Sequence, residues 1–264
     1  MNDFVFDGEL LSEHGFIIGF FDSEMNWSGG SVNFNVSKTP GSDKQHYYSS
    51  SFEEPLIATI SICKNPCHNR NGLVITQEEQ ANIMRWLVRT DGYHWLQFDI
   101  DEYEDVWYNC YINATPHIIK GDLVGFDLTI TTDSPYGYSK LFKKQWDTSE
   151  PEFSFKNYSN KPGIIYPRCT ITPSSIGKIS FSSGNDDSMV HTVLNNTKGL
   201  DKIILDGDID EFTNISPNDF NFVFPVIRNT YCDNVTKFIK NSDSVDFTMD
   251  LEWRYIKWVV AVSC

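Results

Sequence analysis

The sequence predicts a mainly β protein with two domains, and three observations support this prediction. Apolar residues recur at every second position in many short runs, which is typical of strands with one buried face. One segment alone has the spacing of an amphipathic helix. A polar, proline-containing stretch interrupts the alternation between residues 140 and 163. We therefore expect a first domain over residues 1–145 and a second over residues 146–264, with the boundary near 145–150.

Four segments carry the strand pattern most clearly: "SVNFNV", "LIATISI", "VGFDLTITT" and "VDFTMDLEWRY". Such alternation is typical of an antiparallel sheet with one face on the core and one in water. After residue 163, turn signals recur at the spacing expected of a β-sandwich. The apolar positions of the four segments are Val32, Phe34 and Val36; Leu56, Ala58, Ile60 and Ile62; Val124, Phe126, Leu128 and Ile130; and Val245, Phe247, Met249, Leu251, Trp253 and Tyr255.

The predicted helix covers about residues 76–90, in "TQEEQANIMRWLVRTDG". Thr76 and Glu79 have the spacing of a capping box, and Gly92 follows the last turn. A single amphipathic helix in a β domain is expected to cover one open face of a sheet. Its expected apolar face consists of Ile83, Met84, Leu87 and Val88.

Charge and composition exclude several classes of function. The 264 residues carry a formal net charge of -15, and no basic block interleaved with aromatic residues occurs. Specific nucleic-acid binding and binding to anionic membranes are therefore disfavoured. The opening "MNDFVFDGELLSEHGFIIGFF" has no basic leader and is interrupted by acidic residues, so we expect neither a signal peptide nor a spanning helix there. Six scattered cysteines favour reduced thiols in a cytosol over a disulfide framework.

The stretch "QFDIDEYEDVWYNCYI" concentrates carboxylates between Asp99 and Asp105. If Leu96 and Phe98 belong to a strand that pairs with the strand containing Tyr108, these acids form the connecting loop and point into water. A calcium loop of the EF-hand type requires a glycine, which is missing here. Glycosidase carboxylates normally come from separate elements that face each other across a cleft. We favour a solvated loop, with a metal or catalytic site as the alternative.

Two further segments contain metal-ligand side chains. "DGDIDE" places Asp206, Asp208 and Asp210 like the start of a calcium loop, but Glu211 and Pro217 occupy the positions that need Gly and Glu. We expect a turn there.

The second segment, "CKNPCHNR", offers Cys63, Cys67 and His68, whereas zinc needs four ligands and no second cluster has matching spacing. We expect a thiol-bearing turn that begins at Pro66, with structural zinc as the alternative.

Motifs of common enzymes are absent from the sequence. It contains no G-x-G dinucleotide loop, no P-loop, no H-E-x-x-H and no G-x-S-x-G. The histidines are scattered singly, and a lone histidine is more often a surface or core residue than a catalytic base. We therefore expect no catalytic residue, no cofactor and no metal.

The order of elements resembles the N-terminal domain of the siphophage distal tail proteins, a family of phage tail components. Members commonly show an F-x-F-[DN]-G start, a W-L helix end, an L-x-F-D strand with a Tyr-rich partner, and a P-Y-[AG]-Y close. "NNTKGLDKIILDGD" and "FVFPVI" are similar to the galectin-like sandwich that follows in that family. The matching residues of the first half are Phe4, Phe6, Asp7 and Gly8; Trp86 and Leu87; Leu96, Phe98 and Asp99; Tyr108; and Pro135, Tyr136, Gly137 and Tyr138.

This resemblance implies a virion structural protein without enzymatic activity. It implies an N-terminal β-sandwich-like, ring-forming domain with one α-helix, followed by a C-terminal galectin-like β-sandwich. The implied assembly is a hexameric ring at the tail tip of a phage or prophage, between the tail tube protein and the tail-associated baseplate hub protein. "PGSDK" departs from the family, which often has Arg-Asp-Gly after Pro-Gly, where this sequence has Ser42, Asp43 and Lys44.

Two alternatives remain at this point. A galectin-like sandwich is a sugar-binding shape, so a carbohydrate-binding protein of the tail tip is the first alternative, although the galectin sugar signature is not found in residues 160–264. A tail-tip glycoside hydrolase that uses carboxylates such as Asp99 and Glu104 is the second.

Overall fold

The computed structural model describes residues 3–19, 26–41, 43–52, 54–67, 72–99, 105–197, 201–230 and 234–257. The chain divides into two compact units, of which the first runs up to Tyr138 and the second covers Ser139–Lys257. Both are built mainly from antiparallel strands, and the prediction of a mainly β, two-domain protein is confirmed. No helix in these ranges is long and apolar enough to cross a membrane.

The N-terminal unit contains one large sheet and one separate hairpin. The sheet has eight strands in the order β2-β1-β8-β9-β10-β7-β3, and β4 also pairs with β7. The separate hairpin consists of β5 and β6. The strands are β1 Phe4–Phe6, β2 Glu9–Leu10, β3 Phe16–Ile18, β4 Asn26–Ser28, β5 Val32–Lys38, β6 Gln45–Phe52, β7 Ile57–Lys64, β8 His94–Phe98, β9 Tyr108–Ile119, β10 Asp122–Thr132 and β11 Gly137–Tyr138.

The core of this unit lies on one face of the large sheet, as the alternation in β7 and β10 predicts. These strands pair antiparallel with Leu128 opposite Ile60 and Ile130 opposite Ala58. All four side chains are buried, whereas Asp127 and Thr129 on the opposite face are partly exposed. Period-two patterning thus identified both the strands and their buried faces.

The predicted helix is α1, Gln77–Leu87, which is shorter than expected because Val88 already leaves the helical conformation. The Thr76 side chain caps the first turn by accepting from the backbone N–H of Glu79, and the Glu79 carboxylate accepts from the backbone N–H of Thr76. Trp86, which the apolar face predicted from sequence omits, is buried against β1. Its ring stacks on Phe4 at 6.0 Å and meets Phe6 edge-on at 5.9 Å.

The C-terminal unit is a β-sandwich. One sheet has the order β12-β22-β15-β18-β19, the other the order β13-β21-β16-β17, and β14 pairs with β20. Its strands are β12 Phe142–Asp147, β13 Glu152–Lys156, β14 Gly163–Ile165, β15 Arg168–Pro173, β16 Ile179–Gly184, β17 Val190–Leu194, β18 Ile203–Asp206, β19 Glu211–Thr213, β20 Ile227–Asn229, β21 Val235–Lys240, β22 Phe247–Trp253 and β23 Ile256–Lys257.

Aromatic side chains join the two sheets of this sandwich. Trp146 of β12 is buried and lies edge-on to Phe181 of β16 at 6.2 Å and to Phe238 of β21 at 6.0 Å. Phe247 of β22 contacts the same indole at 5.4 Å. Because these rings come from both sheets, the space between the sheets is a single apolar core.

The polar stretch between residues 140 and 163 contains β12, β13 and the start of β14. In "FKKQWD", Phe142, Lys144 and Trp146 are at alternate positions and share one face of the strand. Lys144 interrupts the apolar pattern of that face. Because β12 is an edge strand of its sheet, Lys144 remains exposed to water. The boundary expected near 145–150 falls at the end of this strand, while the two units divide between Tyr138 and Ser139.

Candidate interaction surfaces

The acid-rich segment joins two paired strands, as predicted. β8 and β9 are antiparallel neighbours with Leu96 opposite Tyr108 and His94 opposite Cys110. The loop ends Asp99 and Asp105 are exposed. Residues 100–104, including the candidate Glu104, lie outside the described residues. The two described ends of the segment therefore lie in water.

"DGDIDE" forms the expected turn between β18 and β19, with Asp206 opposite Glu211. The backbone N–H of Asp208 donates to the Asp206 carboxylate at 3.2 Å, as in an Asx turn. Among the described residues, no group of three or more His, Cys, Asp or Glu side chains is arranged to hold a metal ion.

The segment "CKNPC" is also a turn, since the Asn65 side chain accepts from the backbone N–H of Cys67 at 2.9 Å. Cys67 is exposed, and Cys63 is partly buried in β7. Both thiols are free, as are those of Cys110 and Cys169, whereas His68, Cys232 and Cys264 lie outside the described residues.

A charged network that the sequence does not reveal connects the end of α1 to β1 and β8. The imidazole of His94 lies 3.3 Å from Asp7 and 3.0 Å from Asp91. Arg89 contacts the same two carboxylates, each at 3.3 Å. Hydrogen bonds from Arg89 and His94 lower the pKa of Asp91 to about 2. The network joins the segment that follows α1 to Asp7 and His94, and its four members are already paired with one another.

The hairpin of β5 and β6 is the most exposed part of the N-terminal unit. Phe34 is 63% exposed, Tyr47 60% and Tyr48 69%, and the first two rings lie 6.1 Å apart. The Tyr47 hydroxyl donates to Ser50 and the Ser37 hydroxyl donates to Tyr48. The strand predicted from Val32, Phe34 and Val36 therefore exists, but its apolar side chains lack the cover of a core.

The edges of this hairpin are unpaired as well. Within the described part of the chain, β5 and β6 pair only with each other, so each strand has one open edge. A two-stranded hairpin is marginally stable in water by itself. Open edges with exposed aromatic side chains are also a template for pairing with another chain. These properties define a candidate surface for contact with another protein.

A second candidate surface lies on the C-terminal unit and is formed by Phe212, Phe220, Phe222 and Phe224. We call this group the phenylalanine margin. Phe220 is buried and its ring lies 5.2 to 5.4 Å from each of the other three. Phe212 and Phe224 are half-buried, whereas Phe222 is 58% exposed. The margin thus contains one buried ring, Phe220, and one mostly exposed ring, Phe222.

Phe222 has a backbone conformation that bulky residues rarely adopt. Its φ is 57°, in the left-handed region, where a non-glycine residue costs about 1–3 kcal/mol. Asn221 holds the chain in this shape, because its side chain accepts from the N–H groups of Val193 and Val223 and donates to the carbonyl of His191. In this strained conformation, the Phe222 ring is mostly exposed to solvent.

A polar groove of about 470 Å³ lies on the outer face of the five-stranded sheet. Within it, Lys143 pairs with Glu252 at 2.6 Å and Gln145 donates to Asp250 at 2.8 Å. Four of the polar side chains that line the groove are therefore engaged with one another. No aromatic side chain for stacking lines the groove among the described residues.

Family models match both halves of the chain. Residues 1–134 match the model described as the phage tail protein N-terminal domain, and residues 136–251 match the phage tail C-terminal domain. The chain therefore belongs to this phage tail protein family. It is a structural component of a phage tail, located in the virion tail, and its family suggests a role without enzymatic chemistry. The resemblance noted in the sequence is confirmed.

Comparison with solved structures gives a match over nearly the whole chain. The Dit protein of phage SPP1, described as a paradigm of the hub adsorption apparatus in phages that infect Gram-positive bacteria, matches with a TM-score of 0.65. The match covers 97% of this chain and 99% of the SPP1 chain at 12% sequence identity. The two proteins thus share a fold. Comparison with curated proteins found no match.

Proposed function

We propose that this chain is a distal tail protein that forms a hexameric ring at the virion tail tip. The ring is a hub between the tail tube protein and the tail-associated baseplate hub protein. The first domain, 1–145, forms the ring, and the second, 146–264, is a galectin-like sandwich. The exposed hairpin of β5 and β6 is the single observation that carries self-association.

The hairpin favours self-association for a physical reason. Its aromatic rings are mostly exposed, and each of its strands has an open edge among the described strands. Pairing with a neighbouring subunit satisfies the open edges and buries Phe34, Tyr47 and Tyr48 together. A hairpin that contacts a different surface of the next copy makes a heterologous contact, which is the kind that closes into rings.

Charge supports this placement in the virion. With a net charge of -15, the chain repels phosphate, so a ring through which a genome passes does not retain DNA. The free thiols of Cys63, Cys67, Cys110 and Cys169 fit assembly in the reducing cytoplasm of a bacterial host, whether the source is a phage or a prophage.

Gold-labelled antibody against this chain, imaged on intact tails by electron microscopy, tests the location. We expect label at the tip, between the tube and the baseplate. Label along the tube or at the head end contradicts the proposal.

A variant with Phe34→Ser, Tyr47→Ser and Tyr48→Ser should stay folded and fail to support tail assembly. A matched control, Ile164→Ser with Ile176→Ser, removes exposed apolar side chains of the other unit and should support assembly.

A further inference from the structure

We infer that the last part of β9, residues 114–119, is the surface that receives the β5–β6 hairpin of a second copy. We call these residues the β9 tip. This inference rests on the proposed function and adds the receiving surface to it. Both surfaces belong to the first domain, to which the proposal assigns the ring.

The apolar face of β9 continues past the core that covers its first half. Even-numbered residues of β9 lie on the core side of the sheet, where Cys110 and Ile112 are buried. Farther along the same face, Pro116 is exposed and Ile118 is 62% exposed. Ile119, beside the turn into β10, is 47% exposed. The β9 tip therefore presents neighbouring apolar side chains to water, which is typical of an interaction surface.

The β9 tip also has an open edge. β8 pairs with β9 only up to Cys110, which lies opposite His94. Beyond that point β9 pairs with β10 on one side, and no described strand pairs with its other side. Such an edge presents unpaired N–H and C=O groups, to which a strand of another chain can add.

Alternate residues of the β9 tip direct their backbone groups to this edge. The carbonyl of Asn109 accepts from the N–H of Asp133, directly after β10, so odd-numbered residues of β9 point toward β10. Ala114 and Ile118 therefore direct both N–H and C=O to the open edge. Pro116, between them, has no N–H, and proline is tolerated in a sheet at such an edge. An added strand can form hydrogen bonds on both sides of Pro116 and pack on Ile118.

The β5–β6 hairpin is attached at the opposite end of the sheet. Ser28, which precedes the hairpin, pairs with the first residue of β7. Leu56, which follows it, donates its N–H to the side chain of Thr132, the last residue of β10, at 2.9 Å. Ile118 instead lies opposite Leu123, nine positions before Thr132, which is roughly 30 Å along the strand.

Neither surface is covered within its own subunit. The hairpin rings and the β9 tip are both exposed in the same chain, at opposite ends of one sheet. A contact between the two surfaces therefore joins two copies. Because the surfaces differ, the contact is heterologous, and each copy keeps one surface for the next neighbour, as a closed ring requires.

The charges of the two surfaces favour a second copy as the occupant. Two chains with a net charge of -15 repel each other, so a contact between copies is favoured where carboxylates are absent. Of the 36 acidic residues, none lies in β5, in β6 or in the β9 tip. Carboxylates occur beyond the ends of these segments, at Asp43, Glu53 and Asp122.

The hairpin also has the dimensions for this contact. β5 has seven residues and β6 eight, so either strand can follow the whole β9 tip. A hairpin that is marginal in water gains stability from a third strand. Its three mostly exposed rings present roughly 300–500 Å², if an aromatic side chain buries about 150–250 Å². A stable interface buries about 800 Å² on each partner. The rings thus bring a large part of the area that a contact between two copies needs.

Substitution in the β9 tip tests the inference in the full-length protein. Ile118→Ser with Ile119→Ser changes exposed side chains, so the free subunit should unfold at the wild-type temperature. Its self-association, measured by analytical ultracentrifugation, should weaken at least about tenfold, which corresponds to about 1.4 kcal/mol. The control Ile164→Ser with Ile176→Ser, on the other unit, should associate normally.

Hydrogen exchange, measured residue by residue, tests the strand pairing. The amides of Ala114 and Ile118 point to the open edge and should exchange at least about tenfold more slowly in the assembled protein than in the monomer. The amide of Thr115 points toward β10 and should be protected in both. Unchanged exchange at Ala114 and Ile118 on assembly overturns the inference.

A photo-crosslinking residue at position 118 identifies the occupant directly. In an assembly of nitrogen-15-labelled and unlabelled subunits, it should join a peptide from residues 32–52 of a labelled chain to an unlabelled chain. A link within one chain, or to another segment, overturns the inference.

The hairpin variant separates the inference from the proposed function. If the Phe34→Ser, Tyr47→Ser, Tyr48→Ser chain fails to associate while the Ile118→Ser, Ile119→Ser chain associates normally, the inference is wrong and the proposed ring stands. A wild-type chain that never associates overturns the proposed function as well.

Discussion

The ammonium group of Lys64, at the end of β7, lies 2.7 Å from the carboxylate of Glu79 in the first turn of α1. Lys64 is largely buried and also donates to the carbonyl of Val74 at 3.1 Å. Glu79 accepts from the backbone of Thr76 at the same time. One carboxylate therefore closes the capping box of the helix and attaches the helix to the sheet.

Glu79→Gln should destabilise the N-terminal unit by about 1–2 kcal/mol, because the cap and the charge partner of Lys64 are both weakened. The hydrogen bond from Lys64, followed by that from Thr76, lowers the pKa of Glu79. Its stabilising contribution is thus fully present above the ordinary pKa of 4.5 and is lost as the pH falls through the lowered folded value. Urea unfolding at neutral and acidic pH should show the difference shrinking in acid. Glu78→Gln, in the same turn, serves as the control, and an equal loss there contradicts the assignment.

The carboxyl of Asp91 should titrate near pH 2, because Arg89 and then His94 stabilise its charged form. Carboxyl NMR titration measures this value. Arg89→Gln should raise the pKa of Asp91 toward the ordinary value of 3.8, whereas Arg85→Gln in the last turn of α1 should leave it unchanged. An unshifted pKa in the Arg89 variant would show that the network does not act on Asp91.

Trp146→Ala should cost about 3–5 kcal/mol, because the indole fills the space between the two sheets of the sandwich. Trp146→Phe keeps an aromatic side chain but loses the hydrogen bond from the indole to the carbonyl of Glu150. We expect this loss to cost about 1 kcal/mol in addition to the cost of repacking. Hydrogen exchange should accelerate in Ser139–Lys257 alone. Trp86→Ala should accelerate hydrogen exchange in the N-terminal unit alone. Acceleration confined to the other unit, in either variant, would contradict the assignment of that tryptophan to its core.

Thiol reactivity should follow burial. Cys67 is exposed, whereas desolvation raises the pKa values of the Cys110 and Cys169 thiols. Alkylation with iodoacetamide at mildly alkaline pH, followed by mass spectrometry, should label Cys67 in the native protein. Cys110 and Cys169 should react only after unfolding. Equal labelling rates in the native state are the contrary result.

Much of the fold could be predicted because its strands obey period-two alternation. Most buried positions of β7, β10 and β22 follow from the pattern, as does the cap of α1 at Thr76. Val124 is an exception, since it lies at a register shift between Leu123 and Gly125 and is only partly buried. The environment of Trp86 could not be predicted in this way, since its burial depends on rings of β1 that are distant in sequence.

The candidate surfaces were harder to predict, for a physical reason. Alternation shows that a strand has an apolar face, but it does not show which chain covers that face. Phe34 has the same pattern as Ile60, yet Phe34 is mostly exposed and Ile60 is buried. Phe222 is a case where the backbone conformation, not the residue type, reveals an unusual position.

Native mass spectrometry of the full-length protein over a wide range of subunit concentration shows whether the chain forms the proposed ring. We expect a closed hexamer that grows at the expense of the monomer, and loss of that species in the Phe34→Ser, Tyr47→Ser, Tyr48→Ser variant. A wild-type chain that stays monomeric at every concentration, or a hairpin variant that assembles as well as the wild type, would contradict it.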